Sequence, residues 1–210
     1  MLALERAFDQ RTEDDLRGIE HRARRNVMWA LEKLVFRRDF FSRAATILLA
    51  FAVAETESYA NNATGIFSGL YHIYLSGTEA SGDKKLGFAD EVLASNDLRA
   101  QEIVVRALSG GLQTDHFTRT GGAELQGSAP PLRDWEPTPA ELKDYLIGVL
   151  KRLTQVAVTQ GVLSQLASNG IAQHLRGLIG FGASLFEQVE SAVHRSSRMA
   201  ALTGRRRSKR

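Results

Sequence analysis

Apolar residues recur at spacings of three and four along most of the chain, the period that places them on one face of an α-helix. Leu16, Ile19, Ala23, Val27, Ala30, Leu31 and Leu34 form the first stripe, with Arg17, Arg24, Arg25 and Arg38 among the polar positions around it. Asp39 then offers an N-cap to a helix over about Phe40 to Ser58 that is apolar nearly all round, as expected in the middle of a stack. Leu86 to Leu93, then Ala100, Ile103, Val104, Ala107 and Leu108, repeat the pattern, and Gly110-Gly111 supplies a C-terminal stop. In TPAELKDYLIGVLKRLTQVAV, Thr138 is placed to cap, Pro139 takes the first helical position and Glu141 completes a capping box. Leu142, Tyr145, Leu146, Val149, Leu150, Leu153 and Val156 make the stripe of that helix. Ser168-Asn169-Gly170 reads as a turn before the last stripe, from Ile171, Leu175, Leu178 and Ile179 to Leu185, Phe186 and Val189. Sustained period-two alternation is missing. The pattern predicts an all-α fold of stacked antiparallel helix pairs, HEAT-like or an irregular α-solenoid, over residues 1–194.

Two stretches interrupt the helices. The first, ESYANNATGIFSG, lies between AATILLAFAVAE and LYHIYLS, both strongly apolar. It predicts a corner between two helices. Asn61 and Asn62 would fall at the junction, where asparagine tolerates the left-handed conformation that ends one helix and can cap the next. Gly65 and Gly69 share a face, which would let another helix backbone approach. The second stretch is one long irregular loop, residues 113–137, broken by Gly121-Gly122, Gly127, Pro130-Pro131 and Pro137. Loops of this length are uncommon in compact domains and often functional.

Composition narrows the class. The 210 residues are 43% hydrophobic and 24% charged, as in a folded soluble chain, and four prolines suit long helices. The absence of cysteine removes disulfides, thiol nucleophiles and thiolate metal sites. No secretory signal is legible in MLALERAFDQRTEDD, and the longest uncharged run, Ala44 to Ala54, is too short to span a bilayer. The expected location is the cytoplasm, where the sequon Asn62-Ala63-Thr64 meets no glycosyltransferase. The net charge of +3 includes seven Lys/Arg and no acid from Arg195 to Arg210, so the preceding residues carry −4. Residues 195–210 read as a basic, disordered tail.

The run EKLVFRRDFFSRAATILLAFAVAETESYANNATGIFSGLYHIYLSGTEAS, followed by DHFTRTGGAELQGSAPPLRDWEPTPAELKDYL and HLRGLI, resembles the helical region of very large bacterial NTPases of the STAND type, signal-transduction ATPases with numerous domains. Several of these act in defence against phage. The similarity covers roughly Arg25 to Val193 and rests on this succession of segments, not on a catalytic motif. It implies that a P-loop NTPase and an N-terminal effector lie upstream in such proteins, with the helical repeats as sensor and scaffold. The chain contains no GxxxxGK[ST], so it would be a helical segment of a longer protein or a truncated relative.

Catalysis finds little support. His21, His72, His116, His174 and His194 are scattered without metal-ligand spacing, and no GxSxG is present. GLIGFG, Gly177 to Gly182, follows a helical stripe and not a strand, which favours helix packing over nucleotide binding. Glu55 and Glu57, two apart on a helix, would diverge and form no carboxylate dyad. No catalytic residue, cofactor or metal is therefore assigned. The leading expectation is a non-catalytic scaffold or sensor that binds a protein partner, or other domains of a larger assembly. Its candidate contacts are His116, Phe117, Arg119 and Trp135 in the long loop. Trp135 is either an exposed anchor or folds back to plug the groove beneath the loop. The cost of leaving an indole in water favours the plug. The alternative is a nucleic-acid-binding helical protein that uses Arg205, Arg206, Arg207, Lys209 and Arg210 of the tail with the Arg22–Arg25 cluster.

Overall fold

The capped helix after the long loop forms as its sequence directs. Thr138 accepts from the Glu141 amide, the Glu141 carboxylate accepts from the Thr138 amide, and Pro139 sits in the first turn. The computed structural model describes residues 1–115, 131–159 and 161–180, with Glu187 and Glu190. Among these residues every element is helical: α1 (Leu2–Phe8), α2 (Glu13–Arg17), α3 (His21–Phe36), α4 (Phe41–Val53), α5 (Ala63–Gly69), α6 (Gly82–Leu93), α7 (Leu98–Gly110), α8 (Pro139–Ala157) and α9 (Val162–Ile179). No helix among them is long and apolar enough to cross a membrane.

The buried apolar residues form one continuous core. Consecutive helices pack as α3 with α4, α6 with α7 and α8 with α9. α4 also packs on α1, α2 and α5, and α7 joins α4 and α5 to α8 and α9. α4 is central because it is apolar nearly all round: Phe41, Ala44, Ala45, Ile47, Leu48, Leu49, Phe51 and Ala52 are all buried. The Phe8 ring closes on Phe51 at 5.1 Å, edge to face.

Several boundaries differ from the sequence expectation, each for a local reason. The first stripe is split: α2 opens with a Thr12–Asp15 capping box and closes at Gly18, and α3 begins after Glu20, whose carboxylate accepts from the Ala23 amide. α3 buries Arg24, Met28, Leu31 and Val35, leaving Ala23 exposed, so Arg24 lies on the core face and not among the polar positions. Asp39 caps nothing, and α4 starts after Phe40 without a side-chain cap. α4 ends at Val53, five residues before Ser58. The turn expected at Ser168-Asn169-Gly170 is interior to α9; the chain reverses instead before Gly161, at φ +125°. Gly170 lies against Ser109 of α7, where a Cβ would come within 2.8 Å of the serine Cβ, so it serves close helix packing. Gly177 faces the Thr114 side chain, beyond the end of α7, while Leu185, Phe186 and Val189 lie outside the described residues.

The corner is built by buried charge. Arg24, 1% exposed, donates to the carbonyls of Phe51 (2.9 Å) and Ala54 (3.1 Å), the open C-terminal end of α4, and to Leu16 O at 3.0 Å. It also reaches Glu55 at 3.3 Å and lies 3.8 Å from Glu57. These two acids lie off the helix and converge on Arg24. The Glu55 carboxylate accepts from the amides of Thr56, Glu57 and Thr64, which folds residues 55–64 back on α4. Asn62 caps α5 through the Gly65 amide (2.8 Å) and donates to Glu57 O (2.6 Å). Asn61 is not left-handed, because α4 has already ended at Ala54. Gly65 faces the Ala60 carbonyl of its own corner, which excludes any Cβ, and not a neighbouring helix; Gly69 faces open space.

Replacing Arg24 with Met keeps the apolar stem and strips the cation from three carbonyls and two carboxylates. The expected loss is about 3–5 kcal/mol of unfolding free energy, by chemical denaturation, because the partner charges stay buried. A loss under about 1 kcal/mol would show that the corner does not depend on this side chain.

Candidate functional site

Residues 131–138 lead into α8 without regular secondary structure and are pinned to the segment before α6. The Trp135 amide donates to Thr78 O at 2.8 Å, and the Gly77 amide donates to Asp134 Oδ1 at 2.6 Å. Trp135 is 8% exposed and meets the Tyr145 ring edge to face at 5.2 Å. It is the plug of the two alternatives and presents no anchor at the surface. The other three loop candidates, His116, Phe117 and Arg119, lie outside the described residues.

Beneath Trp135 lies Lys85, which is fully buried. Its Nζ is 4.7 Å from the Trp135 ring centre and 5.9 Å from that of Tyr145, and among the described residues no hydrogen-bond acceptor reaches it. Burial pulls the ammonium down to about 7, against the opposing pull of the Asp134 carboxylate. The Tyr71 hydroxyl donates to the Lys85 carbonyl at 3.2 Å and the Tyr145 hydroxyl to the Tyr71 carbonyl at 2.5 Å, so both phenols are committed to backbone. The amine opens into neither of the two clefts below and is a structural oddity more than a reaction centre. Sequence reasoning passed over it although the signal was there: Lys85, Phe88, Ala89 and Val92 fall at i, i+3, i+4 and i+7, one buried face.

The second feature faces solvent. Arg25 of α3 holds its guanidinium over the Tyr59 ring at 4.3 Å and near that of Trp29 at 6.0 Å, and Trp29 is 52% exposed. Tyr59 is fixed from below: its hydroxyl donates to Glu57, whose carboxylate also lies 2.5 Å from His21 Nδ1. Burial and the Glu57 charge push that phenol up to about 12, so it stays neutral.

One helical turn beyond Trp29 a cleft of about 240 Å³ opens, walled by Val35, Ile66, Leu70 and Leu75 with Glu32 and His72. Burial, with Lys85 and His174 adding to it, pulls the His72 imidazole down to about 4 and leaves it neutral at pH 7. Leu75 stands at the wall with φ +52°, a strained conformation for a residue with a side chain, and is half exposed. A second, more polar cleft lies outside Trp135, between Arg37, Arg38, Glu79, Arg133, Glu136 and Glu141. Its charges are mixed, and Arg37 is already paired with Glu79 at 3.2 Å.

The nucleic-acid candidates fare unevenly. Arg205, Arg206, Arg207, Lys209 and Arg210 lie outside the described residues. Of the Arg22–Arg25 cluster, Arg24 is committed to the core, which leaves Arg22 exposed and Arg25 stacked. Among the described residues no group of three or more His, Asp or Glu is placed to hold a metal ion.

Lys85 makes a testable contribution to stability. Its folded value of about 7 lies below its ordinary 10.5. The unfolded chain therefore binds more protons between those values, and stability rises with pH across that window. Lys85→Met should be the more stable protein at pH 7, and its advantage should shrink by about 2 kcal/mol by pH 9. Denaturant melts at the two pH values check this; a gap that does not narrow refutes the buried neutral amine. Comparison of the chain with protein-family models, with curated proteins and with solved structures gives no match in any of the three.

Proposed function

We propose that the chain is a non-catalytic helical scaffold or sensor module that binds a protein partner in the cytoplasm, with its helix pairs forming a short, irregular α-solenoid. The resemblance to the sensor region of STAND-type NTPases, and with it a role in antiviral defence, belongs to the same proposal. One observation carries the reading: Trp29, Arg25 and Tyr59 are clustered at the surface beside an apolar cleft. Trp, Tyr and Arg are the residue types that dominate binding energy at protein interfaces, above all beside a pocket that accepts an apolar side chain. Tyr59 and Arg25 already hold each other in place, so the surface is organised before any partner arrives. The reading also leaves Trp135 and Lys85 as internal packing and asks no chemistry of them.

Two substitutions test it. Trp29→Ala removes the exposed ring. Gly69→Leu fills the cleft from a position where an added Cβ meets nothing within 4 Å. Both should melt close to the parent, within about 1 kcal/mol. Each should lower recovery of the partner from source cells about tenfold or more, whereas Leu98→Ala, at an exposed site on α7, should not. Equal recovery by all of them would remove this surface from the function.

A further inference from the structure

The Arg25 guanidinium lies over the Tyr59 ring at 4.3 Å, and among the described residues no carboxylate meets it. The outer side of α3 carries His21, Arg25, Trp29 and Lys33 at intervals of four residues, with Arg22 and Asn26 beside them, and no acidic residue occurs from His21 to Leu31. His21 is engaged by Glu57. Among the described residues, Arg22, Arg25 and Lys33 make no hydrogen bond or ion pair with any carboxylate. A guanidinium stacked on aromatic rings keeps its N–H donors in the ring-parallel plane, where they form a fork that matches a carboxylate bidentately. Arg25 is thus a ring-supported, positively charged fork that no carboxylate among the described residues fills.

Building on the protein-binding reading above, the geometry points to an acidic segment of the partner as the occupant: one Asp or Glu carboxylate seated on Arg25, with Arg22 and Lys33 adding charge, and an apolar side chain of the same segment in the cleft beyond Trp29. The spacing follows from helix geometry. The seven residue steps from Arg25 to Glu32, where the cleft begins, rise about 10 Å, close to the length of three residues of extended chain. The recognised pattern is therefore an acid followed three residues later by an apolar residue. A single-stranded nucleic acid suits the surface less well. It needs a continuing basic track with several exposed rings for stacking, whereas among the described residues this stripe offers one exposed ring, Trp29.

The probes are short fluorescein-labelled peptides containing Asp-x-x-Leu, Asn-x-x-Leu or Asp-x-x-Ser, and an oligothymidylate, each titrated into the intact chain by fluorescence anisotropy at low and raised salt. The Asp-x-x-Leu peptide should bind at least about tenfold more tightly than its Asn counterpart, and Arg25→Lys should abolish about that factor because a point charge replaces the fork. Gly69→Leu should weaken the leucine peptide and leave the serine peptide unchanged. Equal binding of the Asp and Asn peptides, indifference to Arg25→Lys, no binding of any peptide, or preference for the oligothymidylate would each overturn the inference. Partner recovery that falls with Trp29→Ala and Gly69→Leu but not with Arg25→Lys would overturn it while leaving the protein-binding reading in place. Recovery indifferent to all three would remove both.

Discussion

The fold turns on one buried cation. An arginine does not shed its proton, so Arg24 is tolerable in the core only if acceptors surround it. It finds them in the carbonyls left open where α4 ends, in the carbonyl of Leu16, and in Glu55 and Glu57. The Phe51 ring, 5.0 Å from the guanidinium carbon, closes the remaining side. A helix end with open carbonyls would otherwise need water or a left-handed cap. Here two carbonyls left open at a helix end and the Nη2 donors of a buried arginine satisfy one another. That is why α4 can stop in apolar sequence with no glycine or proline to stop it, and why α2, α3 and the corner meet there.

Lys85 shows the other way to keep a basic side chain inside. It has aromatic rings around it and, among the described residues, no acceptor at Nζ, and it can answer desolvation by giving up its proton. Arg24 organises the backbone around itself, whereas Lys85 is accommodated by side chains that are held elsewhere. Trp135 is fixed by its own amide and by Asp134 on the neighbouring residue, and Tyr145 by its bond to the Tyr71 carbonyl. The segment over Lys85 is therefore anchored mainly through backbone and through one carboxylate, and the amine is a passenger under it. Two basic residues at comparable depth thus sit at opposite ends of the electrostatic range.

What could be read in the sequence followed the strength of local signals. Thr138, Pro139 and Glu141 are local chemistry, and they form the cap that their identities dictate. Asn62 caps α5 for the same reason. The end of α4 could not be read, because its signal is Arg24, some thirty residues away. Ser168-Asn169-Gly170 misled because glycine breaks an exposed helix but serves a packed one, and only the proximity of Ser109 separates the two cases. Arg24 and Lys85 were legible by period: Arg24, Met28, Leu31 and Val35, like Lys85, Phe88, Ala89 and Val92, follow helical spacing. The general preference of charge for solvent outweighed that period. The solvent-facing cluster was legible only in part, since Arg25 and Trp29 lie four apart on one helix but Tyr59 arrives from the corner.

The corner and the surface are parts of one construction. Glu57 receives Arg24 from inside, and His21 and the Tyr59 hydroxyl from outside. Tyr59, so placed, supplies the ring on which Arg25 rests, and Arg25 in turn lies against Trp29. Arg24 and Arg25 are neighbours in sequence, 100° apart around the helix, one bonded into the core and the other positioned by it. An arginine loose on a surface would lose rotamer freedom on meeting a carboxylate, which offsets much of an exposed ion pair's gain. Arg25 has already lost most of that freedom during folding, at the expense of the packing that holds Tyr59. Part of the ordering cost of any contact to Arg25 has therefore been met within the fold, and among the described residues no carboxylate takes it up.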